Sequence, residues 1–317
     1  MTSSNALPVR PSLAAVLTAF ALIYIIWGST YLAIRFAVET IPPFTMAGVR
    51  FLFAGAILYA WSAWRGAGRP TRTHWRSAAV IGTLLLVTGN GLVSWAEQYV
   101  ASGVAALIVA TVPMWMVLLE SLRPGGSRPS IAVIFGLILG MVGIVILISP
   151  AELGGEPVHV PGALVICFAA LCWAVGSIYS RGAPQSSSTL QNVGMQMLTG
   201  GAILVVAGLA LGERTVLAEI SARSIYSLIY LSLIGGVVGY TAYVWLLKVS
   251  TPAKVSTYAY INPVVAVLLG WALAGESMGL RVLAATATVV SAVILIVRKK
   301  KTRKAAAPPP KLARSNV

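Results

Sequence analysis

Residues 254–276 read KVSTYAYINPVVAVLLGWALAGE, a stretch apolar enough to cross a bilayer that nevertheless carries Tyr258, Asn262 and Pro263 near its middle. Pro263 has no amide hydrogen and its ring crowds the carbonyl of Ala259, so a helix through this point leaves one backbone acceptor without its usual partner. Hydrocarbon cannot hydrate that acceptor, so neighbouring helices or a water-filled cavity must satisfy it. We therefore expect this stretch to lie beside a polar crevice inside a membrane protein.

The same interruption recurs once, at Pro113 in the apolar run SGVAALIVATVPMWMVLLESL. Pro113 and Pro263 are 150 residues apart, and so are Gly89 and Gly239. Prolines and clustered glycines bend membrane helices, although glycines also serve close packing alone. The spacing indicates two copies of one membrane unit, with these four residues as candidate helix breaks or hinges.

The composition settles the class of protein before any motif is considered. Mean hydropathy is +0.86 and only 10% of residues are charged, whereas soluble domains carry about 25%. A spanning helix needs about 20 apolar residues, and ten such runs are present. They lie at 13–37, 44–63, 77–97, 102–122, 130–149, 161–180, 189–211, 224–247, 253–273 and 281–297. We predict an all-α membrane protein with ten transmembrane helices.

Ten helices in two copies give five helices per copy. Because five is odd, the second copy must enter the membrane in the opposite orientation, which is the inverted repeat of many secondary transporters. The predicted domains are a cytoplasmic N-terminus at 1–12, five-helix repeats at 13–149 and 161–297, and a disordered basic tail at 298–317. The tail is either a topology signal or an anchor for anionic lipid.

The positive charge lies in the loops. Eighteen Lys and Arg side chains fall on one predicted face of the membrane and four on the other, which places both termini in the cytoplasm. The net charge of +15 therefore sets topology and does not indicate a nucleic-acid partner. The predicted partners are the lipid bilayer and a small-molecule substrate, and the oligomeric state is left open, with a monomer compatible with the sequence.

No constellation for catalysis is present in the sequence. The only histidines, His74 and His159, fall on opposite predicted faces, and neither a zinc-protease motif nor a nucleotide-binding loop occurs. We predict that the chain is not an enzyme and needs no metal and no cofactor.

Polar and aromatic side chains at membrane depth are the candidate solute pathway. Arg50 lies roughly 10 Å below the outer end of its helix at 1.5 Å per residue, where a cation needs a partner or water unless its side chain reaches the surface. For Asn262 the alternative is that its amide only satisfies the backbone loosened by Pro263. Ordinary packing is the alternative for the tryptophans. The predicted pathway residues are Trp27, Tyr31, Arg50, Asn90, Trp173, Gln196, Tyr240, Tyr243, Tyr258 and Asn262.

Two further helices are assigned to packing. The fifth run carries Gly136, Gly140 and Gly143, and the tenth carries Ala284, Thr288 and Ser291. Small residues at this spacing let helices approach closely. We therefore expect these two helices to form scaffold outside the solute pathway.

Acidic residues are absent from the predicted mid-membrane positions. Glu97 and Glu120 fall at helix ends, whereas ion-coupled carriers usually hold a carboxylate in the path. Our hypothesis is a carrier without strong ion coupling. A pH change driven by substrate in proteoliposomes would refute it.

Four segments together resemble the drug/metabolite transporter superfamily, and specifically its EamA type. They are IIWGSTYLAIRFAVETIPPFTMAGVRFLFAG, TGNGLVSWAEQYVASGVAALIVATVPMW, ICFAALCWAVGSIYSR and STYAYINPVVAVLLGWALAGE. The resemblance implies ten helices in a five-plus-five inverted repeat, alternating access, and export of amino acids, other metabolites or drugs across a bacterial inner membrane. The family's WG, RF and NP motifs fall on Trp27 with Gly28, Arg50 with Phe51, and Asn262 with Pro263. Glu276 matches the acidic residue after the ninth helix, but the loop LRPGGSRPS after the fourth helix lacks one.

The sequence thus predicts an exporter of small amphipathic metabolites, with neutral or aromatic amino acids as the leading substrates. Arg50 is expected to attract the solute carboxylate, and Asn262 with Tyr258 to bind its amine. The first alternative is a multidrug exporter of lipophilic cations, which is weakened by the lack of a buried carboxylate. A membrane-embedded enzyme or scaffold is the second alternative, but it requires a catalytic cluster at one membrane face, which the sequence does not show.

Overall fold

A computed structural model describes residues 12–122, 130–148, 158–250, 255 and 258–297, and within them every regular element is helical. Seven helices are long and apolar enough to cross a membrane, so the chain is a membrane protein. Those seven are α1 (Leu13–Ala37), α2 (Pro43–Trp64), α3 (Arg72–Ala96), α4 (Ser102–Leu122), α6 (Val160–Gly182), α7 (Thr189–Ala210) and α8 (Ala222–Val249). The others are α5 (Ile131–Ile148), α9 (Tyr258–Ala274) and α10 (Leu280–Val297).

These helices fall where the apolar runs predicted them, with ends that differ by a few residues. The basic tail after Val297, the N-terminus before Ser12 and most of the loop LRPGGSRPS lie outside the described residues. The predictions made for those segments therefore stay predictions.

Helix starts follow local capping chemistry. The Thr71 hydroxyl accepts a hydrogen bond from His74 N (3.3 Å), and His74 Nδ1 accepts one from Thr71 N (3.3 Å), which forms a reciprocal cap on α3. His159 Nδ1 accepts from Gly162 N (3.1 Å) at the start of α6. Both histidines of the chain thus cap helices.

Two helices contain wide-turn segments that the sequence analysis did not predict. In α3 the backbone is π-helical over Thr83–Gly91, and in α8 it is π-helical over Leu231–Tyr240. Gly89 and Gly239 lie within these segments. Such segments inside α-helices often mark functional sites.

The two prolines act differently. The helix is interrupted at Ala110 and Thr111, directly before the segment that contains Pro113, so the predicted break in α4 is present. Pro263 lies inside a helix that runs from Tyr258 to Ala274, so α9 continues past it.

Small residues bring helices of the two halves together. A methyl group built on Gly201 of α7 would lie 2.8 Å from Leu52 N and 2.9 Å from Gly48 O of α2, which shows that the two backbones are nearly in contact. A methyl group on Gly143 of α5 would lie 2.7 Å from Val289 Cγ2 of α10. The two helices assigned to scaffold packing, α5 and α10, lie against each other.

Two carboxylates connect the halves at one end of the molecule. The Glu276 carboxylate, which follows α9, accepts hydrogen bonds from Ser102 N (2.9 Å) and Gly103 N (3.2 Å) at the start of α4. The Glu213 carboxylate, which follows α7, accepts from Phe44 N (3.0 Å) and Thr45 N (2.7 Å) at the start of α2. A carboxylate at a helix N-terminus satisfies free amide groups and complements the helix dipole.

Candidate functional site

A central cavity of about 80 Å³ lies between helices of both halves. It brings together eight residues that the sequence analysis singled out: Trp27, Tyr31, Arg50, Gly89, Asn90, Trp173, Tyr240 and Tyr258. Phe51 of the RF motif also lines the cavity. Apolar and small residues that the sequence analysis did not select complete the lining: Thr30, Ile34, Leu86, Val93, Val109, Ala169, Ala170, Leu231, Gly235 and Gly236. Nothing in the pattern of these residues distinguishes them from ordinary packing positions.

Arg50 is the charged group of this cavity. Its side chain is buried, with the residue 3% exposed, so it does not reach the membrane surface. Its Nη2 donates a hydrogen bond to Asn90 Oδ1, and its guanidinium carbon lies 4.5 Å from the centre of the Phe51 ring. Arg50 Nε has no hydrogen-bond partner among the described residues. A neutral amide leaves the positive charge uncompensated, so the site is suited to an anionic group.

A second polar pair occupies the corresponding place in the other half. The Tyr240 hydroxyl of α8 donates to Gln196 Oε1 of α7 at 2.9 Å. Asn90 and Tyr240 are 150 residues apart, like the prolines. The Arg50–Asn90 pair between α2 and α3 therefore has a neutral counterpart between α7 and α8, which gives the cavity one charged and one uncharged side.

Four rings form an aromatic cluster, defined as Trp27, Trp173, Tyr243 and Tyr258. The Trp27 ring centre lies 5.7 Å from that of Trp173, 4.8 Å from that of Tyr243 and 5.1 Å from that of Tyr258. The Tyr243 hydroxyl also forms a hydrogen bond with Ser177 Oγ at 3.0 Å. Such edge and tilted contacts are favourable arrangements for aromatic rings.

The aromatic cluster separates the central cavity from a larger one. This inner cavity, about 500 Å³, is lined by Tyr243, by Gln196 and by residues near the ends of α6 and α8, including Arg181 and Lys248. Tyr240 lines both cavities. Three of the cluster's rings face the central cavity and Tyr243 faces the inner one, so the cluster stands between the two spaces.

The two predicted hinge glycines pack against the two tryptophans. A methyl group on Gly89 would lie 2.9 Å from Trp173 Cε3, and one on Gly239 would lie 2.8 Å from Trp27 Nε1. Both positions therefore need glycine for close approach, which supports the packing alternative. Both also lie in π-helical turns, so hinging at these points stays a prediction.

Asn262 is placed differently from what the sequence analysis expected. It is buried and lines neither the central nor the inner cavity. With its amide nitrogen turned toward two carbonyls, it donates to Tyr24 O (3.1 Å) and Tyr258 O (3.0 Å). The amide thus donates to backbone carbonyls of α1 and α9. This agrees with the alternative in which Asn262 satisfies backbone groups near Pro263. Of the two residues expected to bind the amine, Tyr258 is the one at the cavity. Pro113, Pro263 and Gly239 support the helices around the cavity without lining it.

Glu97 is a polar residue of this region whose burial the sequence analysis missed. It lies directly after α3, as predicted, but it is only 2% exposed. Neither of its carboxylate oxygens has a hydrogen-bond partner in the described part of the chain. Its backbone N donates to Val93 O (3.0 Å), which places it one turn beyond a residue of the cavity wall. The spacing from Asn90 and Val93 was the available signal, because positions i, i+3 and i+7 share one helix face.

Comparison with known proteins agrees with this geometry. Residues 13–149 and 160–298 each match the EamA-like transporter family. The chain belongs to that family.

Several members resemble it over most of their length. Similarity to the Escherichia coli (strain K12) protein called uncharacterized inner membrane transporter YedA reaches 42% identity over 278 residues, covering 86% of each chain. Protein PagO of Salmonella typhimurium (strain LT2) is 30% identical over 273 residues, covering 83% of this chain and 88% of PagO. A solved structure titled "Crystal structure of protein" shares the fold of this EamA-like chain. Its TM-score is 0.64 and its identity 20%, with 91% of this chain and all of the other covered.

Proposed function

We propose that this EamA-like chain exports small amphipathic metabolites, foremost neutral or aromatic amino acids, across a bacterial inner membrane by alternating access. The observation that carries the proposal is a buried guanidinium, paired only with a neutral amide, at the wall of a cavity that also presents several aromatic rings. A cavity with few polar groups among apolar walls is typical of sites for small organic solutes.

The topology belongs to the same proposal. Ten spanning helices result when α5, α9 and α10 are counted with the seven longer ones. The separate family matches over the two halves support the five-plus-five repeat, with domains at 13–149 and 161–297. The excess of Lys and Arg on one face supports cytoplasmic termini. A relative's name as an inner membrane transporter supports the location.

The binding mode follows from the chemistry of the cavity wall. Arg50 with Asn90 binds the solute carboxylate through charge-assisted hydrogen bonds. The ammonium group lies over the faces of Trp27 and Tyr258, where the ring quadrupole attracts cations. The apolar side chain of the solute contacts Leu86 and Val93. Asn262 is left out of this mode because its amide is already used by backbone carbonyls.

Transport requires the solute to leave the central cavity on either side. The aromatic cluster closes the way to the inner cavity in the structure described, and rotation of its rings or rocking of α1 and α6 opens that way. The two π-helical segments supply backbone that can adjust beside the moving tryptophans.

The experiment is uptake of radiolabelled amino acids into liposomes that contain the purified full-length protein. We expect wild-type protein to exchange phenylalanine or leucine, and Arg50→Ala to lose most of that exchange. Arg214→Ala, at an exposed position outside the helices, is the matched control and should behave as wild type. Equal exchange by Arg50→Ala and wild type would contradict the assignment, and the Asn262→Ala variant should affect protein stability more than solute affinity.

A multidrug exporter of lipophilic cations is the second candidate. The buried Glu97 favours it, since the sequence analysis had counted the lack of a buried carboxylate against it. Arg50 opposes it, because a buried cation at the cavity wall repels cationic solutes. A drug-resistance spectrum compared with an amino-acid-analogue resistance spectrum in expressing cells separates the two.

A further inference from the structure

Glu97 has a location that the proposed transport function does not explain. A carboxylate that is 2% exposed with neither oxygen hydrogen-bonded is costly to keep ionised, because burial removes its hydration. In proteins such a group is usually paired or protonated. A buried carboxylate with only a structural role would have hydrogen-bond donors around it, as Glu213 and Glu276 do.

The charged and titratable groups around Glu97 come from three elements. Tyr31 and Arg35 of α1, Arg50 of α2 and Glu276 after α9 all lie within electrostatic reach of its carboxylate. Arg35 also lies 3.5 Å from the Glu276 carboxylate (Nη1 to Oε1), so part of its charge is already compensated. Arg50 and Tyr31 line the central cavity. Glu97 is therefore coupled to the cavity chiefly through Arg50.

The surroundings of Glu97 favour its protonated form relative to an exposed glutamate. Burial raises the pKa of Glu97 well above the usual range, and the charge of Glu276 adds to this, against the opposing effects of the Arg35 and Arg50 charges and of the Arg35 backbone amide. A raised pKa means that the proton is held to higher pH than on an exposed glutamate and is released as the pH rises through the new value.

A solute carboxylate changes the balance at Arg50. With Glu97 ionised, one guanidinium would have to compensate two buried carboxylates, whereas with Glu97 protonated it compensates only the solute. Solute binding and proton binding therefore favour each other, and the coupling is reciprocal. An incoming cation would have the opposite effect.

We propose that Glu97 is a proton-binding site linked to the central cavity through Arg50, and that it binds its proton more tightly when a carboxylate-bearing solute is present. The linkage rests on the proposed transport function, but the proton site itself does not. The proton comes from water and returns to it on the side where the solute is released, so that one proton moves outward with each exported solute and the outward solute gradient drives both. This replaces the earlier hypothesis of a carrier without ion coupling.

The first experiment tests the proton site without any solute. Infrared difference spectra of the full-length protein in liposomes are recorded across a pH titration. We expect a protonated carboxyl band that disappears at a pH above the usual glutamate range, is absent in Glu97→Gln and is shifted in frequency in Glu97→Asp. Glu219→Gln, at an exposed position between α7 and α8, is the control and should keep the band. No such band in wild type, or its persistence in Glu97→Gln, overturns the proposal. The wild-type titration decides the question even if the variants fold poorly.

The second experiment tests the linkage with phenylalanine as the probe. Addition of phenylalanine at a fixed pH near the midpoint should increase the carboxyl band of wild type. An imposed phenylalanine gradient should move protons in the same direction, and Glu97→Gln should lose that proton movement while Glu219→Gln keeps it. Phenylalanine flux without proton movement, or flux that follows sodium and ignores pH, overturns the linkage. If no amino acid is transported at all, the proposed function fails, and the titration still decides whether Glu97 binds a proton.

Discussion

At the scale of single residues, the cavity wall depends on which atoms remain available for a solute. Arg50 donates one hydrogen bond to Asn90, and its Nε has no hydrogen-bond partner in the part of the chain that the structure describes. Asn262, in contrast, uses its amide on two backbone carbonyls. Both residues are buried and polar, so burial and polarity do not distinguish them. Their contacts separate a binding group from a backbone-stabilising group.

The Asn90→Asp variant tests whether Arg50 binds a carboxylate. An aspartate at this position would place a negative charge beside the guanidinium and compete with the solute. Hydrogen bonds to charged groups contribute about 1.5–3 kcal/mol, so we expect the apparent KM for phenylalanine exchange to rise roughly tenfold to a hundredfold. Exchange kinetics in liposomes measure the change.

The solute provides the control for this variant. Phenylalanine amide lacks the carboxylate, so its ability to compete should be much less affected by Asn90→Asp. If the variant weakens phenylalanine and its amide equally, then Arg50 does not recognise the carboxylate, and Asn90 acts only on the shape of the cavity.

At the scale of the helix, the sequence predicted positions well and backbone detail poorly. Hydropathy located each helix within a few residues because apolar length is a property of the local sequence. Pro113 also marked a real interruption, because the missing amide hydrogen acts locally. The π-helical turns at Gly89 and Gly239 could not be predicted in the same way. They lie where the tryptophans of α1 and α6 approach those glycines closely, and such a contact between distant helices is not visible in the local sequence.

The burial of Glu97 was missed for the same reason. A glutamate just past the end of a membrane helix normally faces water. Its burial comes from the helices packed around it, which contribute Tyr31, Arg35 and Arg50. The position of Glu97 on the same helix face as Asn90 was the available indication of its burial. The sequence does not show which helices pack against that face.

The contact between α2 and α7 gives a prediction about stability. In Gly201→Ala the new methyl group would meet Leu52 N at 2.8 Å and Gly48 O at 2.9 Å, and backbone atoms cannot rotate away. Overpacking of this kind costs about 1–3 kcal/mol. We expect a lower Tm for the purified protein, measured by the loss of helical circular dichroism on heating.

The matched control for that variant is Gly182→Ala at the end of α6, where no atom lies within 4 Å of the new methyl group. Its Tm should stay the same or rise slightly, since alanine favours helix over glycine. If Gly201→Ala and Gly182→Ala lowered the Tm equally, then α2 and α7 could move apart at little cost, and their contact would not fix the distance between the halves.

At the scale of the whole molecule, the two ends are built differently. Glu213 and Glu276 each tie the end of one helix to the start of a helix in the other half, and both contacts lie at the same end. The inner cavity opens at the opposite end, beside Arg181 and Lys248. In the structure described, the end with Glu213 and Glu276, called the carboxylate end, therefore holds more hydrogen bonds of this kind between the halves than the end with the inner cavity. In the proposed transport cycle, opening toward the carboxylate end requires these contacts to break while the aromatic cluster and the walls of the inner cavity come together.

Alternating access then makes a reciprocal prediction. Leu247 lines the inner cavity and Ile34 lines the central cavity on the far side of the aromatic cluster. Single cysteines at these two positions, with Cys167 and Cys172 replaced by alanine, report access from each side to a membrane-impermeant thiol reagent. We expect fast labelling of Leu247→Cys from the cytoplasmic side and slow labelling of Ile34→Cys from the outside. A solute or pH change that speeds one should slow the other, because both rates follow the same two-state equilibrium. If the two rates rise together, the chain opens a continuous channel, and a carrier with alternating access is excluded.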